Sequence, residues 1–471
     1  MRQFSLMTAF VITVGATAAG AEPARSPNVV FILADDLGWG DLGCYGNRAL
    51  PTPNLDRLAA EGTLFTHFYV GGSVCSPSRS AFLTARYPAV NRIHGHFATD
   101  DLNRGRGMPD SLDPAIPTLA AALRDVGYKT AHIGKWHLGH SASSPAPTAY
   151  GFDFVRACTS SNDTWKETND DPYFRAKSSA LFVDEGLRFI EANCDKPFYL
   201  QLWMLVPHAT LNPTPEQLKQ FRSLDPGVQA GGRNSARSIY YASVADLDRQ
   251  VGRLLRGLED LGVAKDTLVI FSSDNGPEEI FIRNAGHSGV GSPGPFRGRK
   301  RSLYEGGIRV PFLLRLPGRV PAGRVEDRAI VSGVDLFPSI AALTGAKVPD
   351  ASRIDGEDRS AVWLGASMQR KRPLFWEWRF NIAGHVSNIS PILAVRDDRW
   401  KLLLNPDGSR AELYDIPADP GETKDRAEAH PDIVERLRKQ AIEWQRTLPA
   451  GPFDKNAGSN AYPWPKQRKA G

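Results

Sequence analysis

Short apolar runs alternate with amphipathic segments along most of the chain. The run Asn28–Ala34 is continuously apolar and rich in β-branched residues, which is typical of a strand that is covered on both faces of a parallel sheet. Residues 128–133, residues 197–205 and Thr267–Ser273 show the same pattern. Each of these four segments is therefore predicted to be a buried strand.

Apolar residues with helical spacing lie between these strands. Residues 55–59 predict a short helix that ends at Gly62, and residues 116–126 predict a second helix that ends before Gly127. A longer helix is predicted over residues 244–258, where apolar residues recur every three or four positions. This alternation indicates an α/β sandwich in which helices cover both faces of a large, mainly parallel sheet.

The pattern changes near Gly365. Shorter strand patterns separated by charged turns follow it, at residues 373–378, 392–395 and 400–404. Residues 433–448 then have the spacing of one amphipathic helix. We therefore predict a smaller α+β subdomain with a short antiparallel sheet after the main domain.

The first 21 residues have the organisation of a secretory signal peptide. Arg2 is followed by an apolar run over residues 6–19, which is too short to span a bilayer comfortably, and residues 19–21 form a small-x-small cleavage pattern. The mature protein is expected to be periplasmic or secreted, with no membrane span after the signal is removed. It would comprise a catalytic α/β domain over residues 22–365 and the subdomain over residues 366–471, whose tail from Pro449 is expected to be loosely ordered.

Composition is that of a globular enzyme. The 471 residues are 41% hydrophobic and 23% charged, so a large packed core is expected. The net charge of +5 would suit an anionic substrate, but the basic residues are scattered and no nucleic-acid-binding motif is present. Nucleic acid is therefore not expected as a partner. Four cysteines exclude a disulfide scaffold, and Cys158 and Cys194 could either pair or remain free thiols.

Polar residues follow the carboxyl ends of all four predicted strands. They are Asp35 and Asp36, Lys135 and His137, His208, and Asp274 with Asn275. Each group alone is more typical of a turn or a helix cap. Ligands of parallel sheets, however, bind outside the carboxyl ends of the strands, so the recurrence predicts one shared site. Three aspartates and an asparagine form an oxygen-rich set that favours Ca²⁺, or Mg²⁺ as a second choice, over Zn²⁺.

A helix is predicted to begin near Cys75, directly after the glycine pair at residues 71–72. The proline at position 77 and the following Ser, Ala, Phe and Leu favour a helix start at this point. The free amides and the dipole of its first turn would attract an anion. Arg79, one turn later, adds a charged group suited to sulfate.

The segment Cys75-Ser76-Pro77-Ser78-Arg79 resembles the Cys-x-Pro-x-Arg signature of type I sulfatases. Residues 134–139 resemble the second signature of that family, and other segments are also similar to family blocks, namely residues 28–38, 271–277, 304–311, 400–401 and 413–415. The similarity extends from about residue 26 to residue 425, and residues 294–311 look most like the arylsulfatase and N-acetylgalactosamine-sulfatase branch. The resemblance implies an alkaline-phosphatase-like fold.

The resemblance also implies the role of each site residue. Cys75 would be oxidised to formylglycine by a formylglycine-generating enzyme, and the modified residue would be a metal ligand together with Asp35, Asp36, Asp274 and Asn275. Arg79 and Lys135 would neutralise the sulfate and stabilise the formylglycine hydrate, and His137 would act as the base. His208 and Lys300 would bind sulfate oxygens or protonate the leaving alcohol.

An aldehyde hydrate solves a chemical problem that a serine nucleophile would not. A serine would form a sulfate ester as difficult to hydrolyse as the substrate, whereas a hydrate presents two hydroxyl groups on one carbon. One hydroxyl attacks sulfur, and deprotonation of the other then expels sulfate and restores the aldehyde.

Two positions depart from the expected family pattern. Residues 207–210 read Pro-His-Ala-Thr where Pro-His-x-Pro is frequent, so the loop after His208 is expected to bend differently. Lys300 is flanked by Arg299 and Arg301, which could compete for its role. We take Lys300 as the site residue.

Specificity is expected to lie in the loops at residues 140–171, 278–295 and 376–385. Trp376, Trp378 and Arg379 could flank a sugar ring, or they could form an aromatic strand packed between domains. A sulfated carbohydrate is the favoured substrate, with an aryl sulfate also possible. The alternatives are a phosphonate monoester or phosphodiester hydrolase and, from another class, a non-catalytic binder of sulfated glycans.

Overall fold

In a computed structural model, ten strands of the described residues precede the C-terminal sheet. The description covers residues 26–167, 170–224, 235–280, 282, 286–349 and 353–459, so the predicted signal peptide and the last part of the tail lie outside it. The strands are β1 (Asn28–Ala34), β2 (Thr63–Phe65), β3 (Phe68–Tyr69), β4 (Lys129–Lys135), β5 (Phe154–Cys158), β6 (Phe198–Trp203), β7 (Thr267–Ser273), β8 (Phe312–Arg315), β9 (Arg324–Glu326) and β10 (Val331–Ser332).

Eight of these strands form one sheet in the order β5-β4-β6-β1-β7-β8-β2-β9, while β3 pairs with β10. Within the described part of this sheet, β8 is antiparallel to both of its neighbours and the remaining pairs are parallel. The four predicted strands are β1, β4, β6 and β7, which lie side by side at the centre. The prediction of a mainly parallel sheet is confirmed.

Helices cover both faces of the sheet, and one further helix, α11, lies in the C-terminal part. The helices of the described residues are α1 (Pro53–Ala60), α2 (Cys75–Thr84), α3 (Asp100–Gly105), α4 (Leu119–Asp125), α5 (Phe174–Glu191), α6 (Pro215–Leu218), α7 (Ala236–Asp260), α8 (Glu305–Ile308), α9 (Leu336–Thr344), α10 (Ser360–Trp363) and α11 (Pro431–Arg446). Val30 and Ile32 of β1 belong to one core, with α1, α5 and α7. Phe31 and Leu33 point the other way, into a core with α2, α4 and α9. The continuous apolar run of β1 follows from burial on both faces.

The C-terminal part contains a second, smaller sheet. Its strands are β11 (Leu374–Glu377), β12 (Leu393–Asp397), β13 (Trp400–Leu404) and β14 (Glu412–Asp415), paired in that order and antiparallel throughout. Leu437 and Ala441 of α11 pack against Leu402 and Leu404 of β13. The predicted antiparallel sheet and its helix are confirmed. The boundary at residue 365 stays a prediction, because Trp376 belongs to the same core as Leu33.

A group of buried charges joins this small sheet to the main domain. We call it the Glu305 cluster; it comprises Glu305, Arg309, Arg396, Lys401 and Glu422, all buried. One carboxylate oxygen of Glu305 lies 2.9 Å from Lys401 Nζ, and the other accepts hydrogen bonds from Tyr69 (2.7 Å) and Arg309 (3.2 Å). Glu422 pairs with Lys401 at 2.9 Å and accepts a hydrogen bond from the backbone N–H of Glu305 at 2.7 Å. Three of the four carboxylate oxygens of Glu305 and Glu422 therefore accept a hydrogen bond, and the fourth, Glu422 Oε1, has the ion pair with Lys401 alone.

The cysteines and the helices answer two questions that the sequence leaves open. All four cysteines are free thiols, and Cys158 is buried on β5 while Cys194 is exposed. Among the described helices, none combines the length and the apolar character needed to cross a membrane.

Candidate active site

The first part of the site lies where β1 and β7 end side by side. Ala34 pairs with Ser273 in the parallel register, so Asp35 and Asp274 leave the sheet next to each other. The backbone N–H of Asp36 donates to Asp274 Oδ1 at 3.1 Å, and Asn275 Nδ2 donates to Asp36 Oδ1 at 2.7 Å. All four side chains are buried. The structure thus brings the proposed metal ligands together.

Strand β4 adds a cation to this edge. Lys135 is its last residue, and Nζ donates to Asp35 Oδ2 at 2.5 Å. The preceding Gly134 has a φ of +107°, and a Cβ there would lie 1.9 Å from the carbonyl oxygen of Trp203 on β6. Only glycine fits this close approach of two strands, which explains the Gly-Lys pair of the second motif.

Helix α2 points its first turn at the same place. Cys75 is its first residue and Arg79 lies one turn later. Two guanidinium nitrogens of Arg79 donate to Asp274 Oδ2, at 3.0 and 2.7 Å, and a third donates to the backbone oxygen of Lys135 at 2.9 Å. Arg79 therefore holds Asp274 in place and does not face an open space.

The thiol of Cys75 lies among the charges of the site. It is 2% exposed. Burial raises the pKa of the Cys75 thiol above its ordinary value, and Lys135 and Lys300 offset part of this while Asp35 and Asp274 add to it. An unmodified Cys75 is therefore a neutral thiol at neutral pH and a poor nucleophile.

Lys300 is the member of its basic triplet that binds the carboxylate of Asp36. Its Nζ lies 2.7 and 2.8 Å from the two carboxylate oxygens of Asp36, and 3.5 Å from Glu278. Burial alone would lower the pKa of Lys300, but Asp36 and Glu278 raise it above the ordinary value, so the amine stays charged. Arg299 donates to backbone oxygens instead, and Arg301 binds the carboxylate of Glu278.

The two histidines of the site have different hydrogen-bond partners. Nε2 of His137 is 3.1 Å from the backbone oxygen of Phe97, which can only accept, so Nε2 carries the hydrogen and the buried Nδ1 keeps its lone pair. Burial, aided by Lys135, lowers the pKa of His137 well below its usual value. Nδ1 of His208 lies 2.6 Å from the backbone oxygen of Ala209, and its Nε2 is 3.8 Å from Asp36 Oδ2. Burial lowers the pKa of His208 to about 4.

The aspartates differ in their proton affinity because their cationic partners differ. Burial, with repulsion from Asp35, raises the pKa of Asp274 to about 7, although Arg79 opposes the shift. Burial also acts on Asp35, but Lys135, His208 and Arg79 together hold its pKa well below the usual range. Carboxylates crowded in a dry site repel one another, and a bound cation would relieve this repulsion.

Two acceptor oxygens of this group lack any hydrogen-bond partner in the part of the chain that the structure describes. They are Asp35 Oδ1 and Asn275 Oδ1, and both are buried. Ligand atoms of Asp35, Asp36 and His208 also lie within 4.8 Å of one another. Unpartnered buried oxygens beside carboxylates are what a hard divalent cation requires, so the residues fit Ca²⁺ or Mg²⁺. We call Asp35, Asp36, Arg79, Lys135, Asp274, Asn275 and Lys300 the active-site cluster.

Some residues were missed or interpreted wrongly from the sequence. Glu278 binds both Lys300 and Arg301, although sequence reasoning placed it only in a specificity loop. Its signal was its position four residues beyond Asp274, at the end of a central strand. Trp376 is buried and donates to the backbone oxygen of Val70 at 2.7 Å, and Arg379 is buried against Glu377. Of the two alternatives for this segment, the burial of Trp376 and Arg379 favours the strand packed between domains.

Comparisons with known proteins agree with the motifs. The sulfatase family profile matches residues 27–346, and a profile described as N-sulphoglucosamine sulphohydrolase, C-terminal, matches residues 296–447. N-acetylgalactosamine-6-sulfatase of Canis lupus familiaris is 35% identical over 392 residues, which cover 77% of this chain and 70% of that protein. Arylsulfatase A of Homo sapiens is 33% identical over 468 residues, covering 90% of this chain and 89% of that protein.

The fold has a close counterpart among solved structures. The crystal structure of Ps i-CgsB in complex with k-i-k-neocarrahexaose superposes with a TM-score of 0.75 at 26% sequence identity. The superposition covers 92% of this chain and 96% of that one. The similarity therefore includes the C-terminal sheet as well as the main domain.

Proposed function

This chain belongs to the sulfatase family and is a sulfuric ester hydrolase, and on that premise we propose that it hydrolyses a sulfated carbohydrate with the side chain at position 75 after its oxidation to formylglycine. The observation that supports this most strongly is the meeting of Cys75, at the first turn of α2, with the carboxylates at the ends of β1 and β7. An anion that enters there meets helix amides and two lysines at once.

We assign the metal to the four oxygen-bearing side chains of the cluster. Asp35, Asp36, Asp274 and Asn275 would hold Ca²⁺, or Mg²⁺ as the second choice, with the modified residue 75 as a further ligand. When bound, such an ion supplies Lewis-acid stabilisation of a coordinated hydroxyl or sulfate oxygen. The two unpartnered oxygens of Asp35 and Asn275 support this assignment.

The remaining polar residues handle charge and protons. Lys135 and Lys300 bring positive charge to the sulfate oxygens, and Arg79 fixes the carboxylate of Asp274. His137 serves as the base, because Nδ1 keeps a lone pair while Nε2 is bound to Phe97. His208, whose side chain is 30% exposed, lies towards solvent and is placed to bind a sulfate oxygen or to protonate the departing alcohol.

The substrate class is inferred from two relatives. One is named for a sulfated N-acetylgalactosamine, and the other was solved in complex with neocarrahexaose, an oligosaccharide by its name. We propose a sulfated saccharide for this chain too, with an aryl sulfate as an artificial substrate. Maturation would need a formylglycine-generating enzyme, and the predicted signal peptide supports a periplasmic or secreted location.

The decisive experiment replaces the nucleophile. Cys75→Ala is expected to abolish sulfate release while the protein stays folded, and Cys194→Ala, which alters an exposed free thiol, is the matched control and should retain full activity. Mass analysis of the wild-type peptide that contains position 75 should show an aldehyde in place of the thiol. An unmodified thiol in fully active protein would contradict the proposal and would favour a different nucleophile.

The alternatives are separated by substrate. Rates on 4-nitrophenyl sulfate and on an aryl phosphodiester are compared side by side with the same preparation. A clear preference for the diester would replace the sulfatase proposal with that of a phosphodiester hydrolase. Tight glycan binding with no turnover of either ester, by protein that carries the aldehyde, would favour the non-catalytic binder.

A further inference from the structure

A cavity of about 320 Å³ lies next to the active-site cluster. Its wall includes Gly95, His96, Arg106, Arg301, Trp378 and Phe380. Its volume is in the range of pockets that bind small molecules. Two loops of the main domain and the segment after β11 therefore enclose a space that no residue of the cluster fills.

The cavity adjoins the site on two sides. Arg301 directly follows Lys300, and its backbone N–H donates to the oxygen of Ser73, two residues before Cys75, at 2.8 Å. On the other side, the ring of His96 lies 6.3 Å from the ring of His137. A substrate whose sulfate lies at position 75 would therefore extend into this cavity.

One wall has the character of a sugar-binding surface. The rings of Trp378 and Phe380 pack edge to face at 5.4 Å. The indole Nε1 of Trp378 is buried and does not face the cavity, so the wall offers ring surface and not this N–H. Aromatic ring surfaces suit a saccharide, which presents apolar C–H faces.

The other wall carries an unpaired guanidinium. Arg106 donates to the backbone oxygen of His96 at 2.9 Å, and its guanidinium lies 5.7 Å from the ring centre of Phe380. No carboxylate of the described residues lies within ion-pair distance of it; Asp454, which also lines the cavity, accepts from the backbone N–H of Asn381 instead. Arg301, in contrast, already binds the carboxylate of Glu278 through two nitrogens. Arg106 is thus the cation of this wall with donors to spare.

We propose that this cavity binds the sugar unit next to the sulfated one, and that Arg106 binds a second anionic group, a carboxylate or a sulfate, on that unit. The inference rests on the proposed function, since the cavity is defined relative to the reacting sulfate. Arg106 is then a specificity residue. It binds substrate without taking part in the cleavage of the sulfate ester.

The test compares Arg106→Gln with wild type on four probes. They are a disaccharide with one sulfate, the same disaccharide with an added uronate carboxylate, the same with a second sulfate, and 4-nitrophenyl sulfate. A charge-assisted hydrogen bond changes binding by about tenfold, so KM should rise by about tenfold for the doubly charged probes. The kcat values, and the KM of the two singly charged probes, should stay within about twofold. Arg104→Gln is the matched control, because Arg104 lies in α3, two residues before Arg106, but its side chain is 74% exposed.

Each result decides the matter. A rise in KM confined to the uronate probe or to the disulfated probe supports the subsite and identifies its anion. The subsite is overturned if wild type has the same kcat/KM on singly and doubly charged disaccharides. It is also overturned if Arg106→Gln loses the same fraction of kcat/KM on all four probes.

Binding to Cys75→Ala separates this inference from the proposed function. Calorimetric affinity for the doubly charged disaccharides should fall about tenfold when Arg106→Gln is added to that variant. This outcome supports the subsite even if wild type hydrolyses none of the probes, a result that would defeat the proposed function alone. Unchanged affinity overturns the subsite, even where aryl sulfate is hydrolysed normally.

Discussion

The active-site cluster and the Glu305 cluster both bury several charges, but they differ in how completely the charges are paired. In the Glu305 cluster every carboxylate oxygen lies within 3.2 Å of a cation or of a hydrogen-bond donor, although Glu422 Oε1 has an ion pair with Lys401 and no hydrogen bond. In the active-site cluster, oxygens of Asp35 and Asn275 have no hydrogen-bond partner among the described residues. Unsatisfied buried acceptors cost stability, so their presence indicates a site shaped for a ligand, whereas the closed cluster serves to join parts of the fold.

Proton affinity is divided in the same way in both clusters. Burial would raise the pKa of Glu305, but Lys401, Arg396 and Arg309 lower it to about 2, whereas burial raises the pKa of Glu422 to about 7 although Lys401 opposes the shift. In the active-site cluster, burial and Asp35 raise the pKa of Asp274 to about 7 in spite of Arg79, while the pKa of Asp35 is held well below its usual range. The clusters therefore differ in their unpaired oxygens and not in their proton affinities. On that ground the two should respond differently to substitution.

The largest effect is expected from Asp274→Asn. Turnover should fall by about 100-fold or more, because a charged group that stabilises the reacting centre is lost. The loss in the free energy of unfolding should be smaller than that of Glu305→Gln. The single side-chain oxygen of asparagine can accept from Asp36 or from Arg79 but not from both, yet the substitution also removes a carboxylate that is repelled by Asp35. Steady-state kinetics and urea titration of the same preparation measure both. An Asp274→Asn variant that loses as much stability as Glu305→Gln, or one that remains active, would contradict the difference between the two clusters.

Glu305→Gln should show the reverse pattern. Removing one partner of a buried ion pair destabilises by about 3–5 kcal/mol, and here Arg309 and Arg396 lose their carboxylate while Lys401 keeps only that of Glu422. The kcat per folded molecule should be unchanged within about twofold. Glu435→Gln, in the exposed pair with Arg438, is the control and should leave the urea midpoint where it is. A large loss of kcat in folded Glu305→Gln would contradict the separation of the two clusters.

Metal removal gives the next largest effect. Treatment with EDTA should abolish sulfate release, and return of Ca²⁺ at about 100 times its dissociation constant should restore it and add about 3 kcal/mol to stability. Addition of Ca²⁺ should raise the free energy of unfolding of Glu305→Gln by the same amount as that of wild type, and that of Asp274→Asn by much less. Equal stabilisation of all three proteins would place the cation elsewhere.

The smallest effect is a difference in acid stability. The folded-state pKa of Glu305 is about 2, below its ordinary value of 4.5, so its contribution is present above about pH 4.5 and is lost as pH falls towards 2. The difference in the free energy of unfolding between wild type and Glu305→Gln should therefore become smaller as the pH falls over this range. Urea titration at a series of pH values measures it. A gap that stays constant down to pH 2 would mean that Glu305 is not the titrating group.

The central strands and their polar ends could be predicted from the sequence because each signal is local. Asn28–Ala34 carries its apolar run and its two aspartates in one segment, and the same holds for Thr267–Ser273 with Asp274 and Asn275. Strand β8 was missed because a strand of four residues is too short to show a clear alternation of apolar and polar positions. Its antiparallel direction depends on partners that are distant in the sequence.

Other features of the site depend on tertiary contacts. Arg79 could be identified as part of a motif, but its contact with Asp274 joins residues 195 positions apart in the chain. The resemblance alone selected Lys300 over Arg299 and Arg301, and the distinction becomes physical only when Lys300 reaches Asp36. Arg106 carries no local signal, because its lack of a carboxylate partner is a property of the folded wall around it.

The Glu305 cluster also limits how this protein can recombine with its relatives. Glu305 lies in the main domain, whereas Lys401 and Glu422 belong to the C-terminal part, and the amine of Lys401 pairs with both carboxylates. A chimera with its junction between them, and with a donor lacking the lysine, would leave an anion buried without its counterion. Viable crossover points are therefore expected before residue 305 or after residue 422, so that the three residues are inherited as one block.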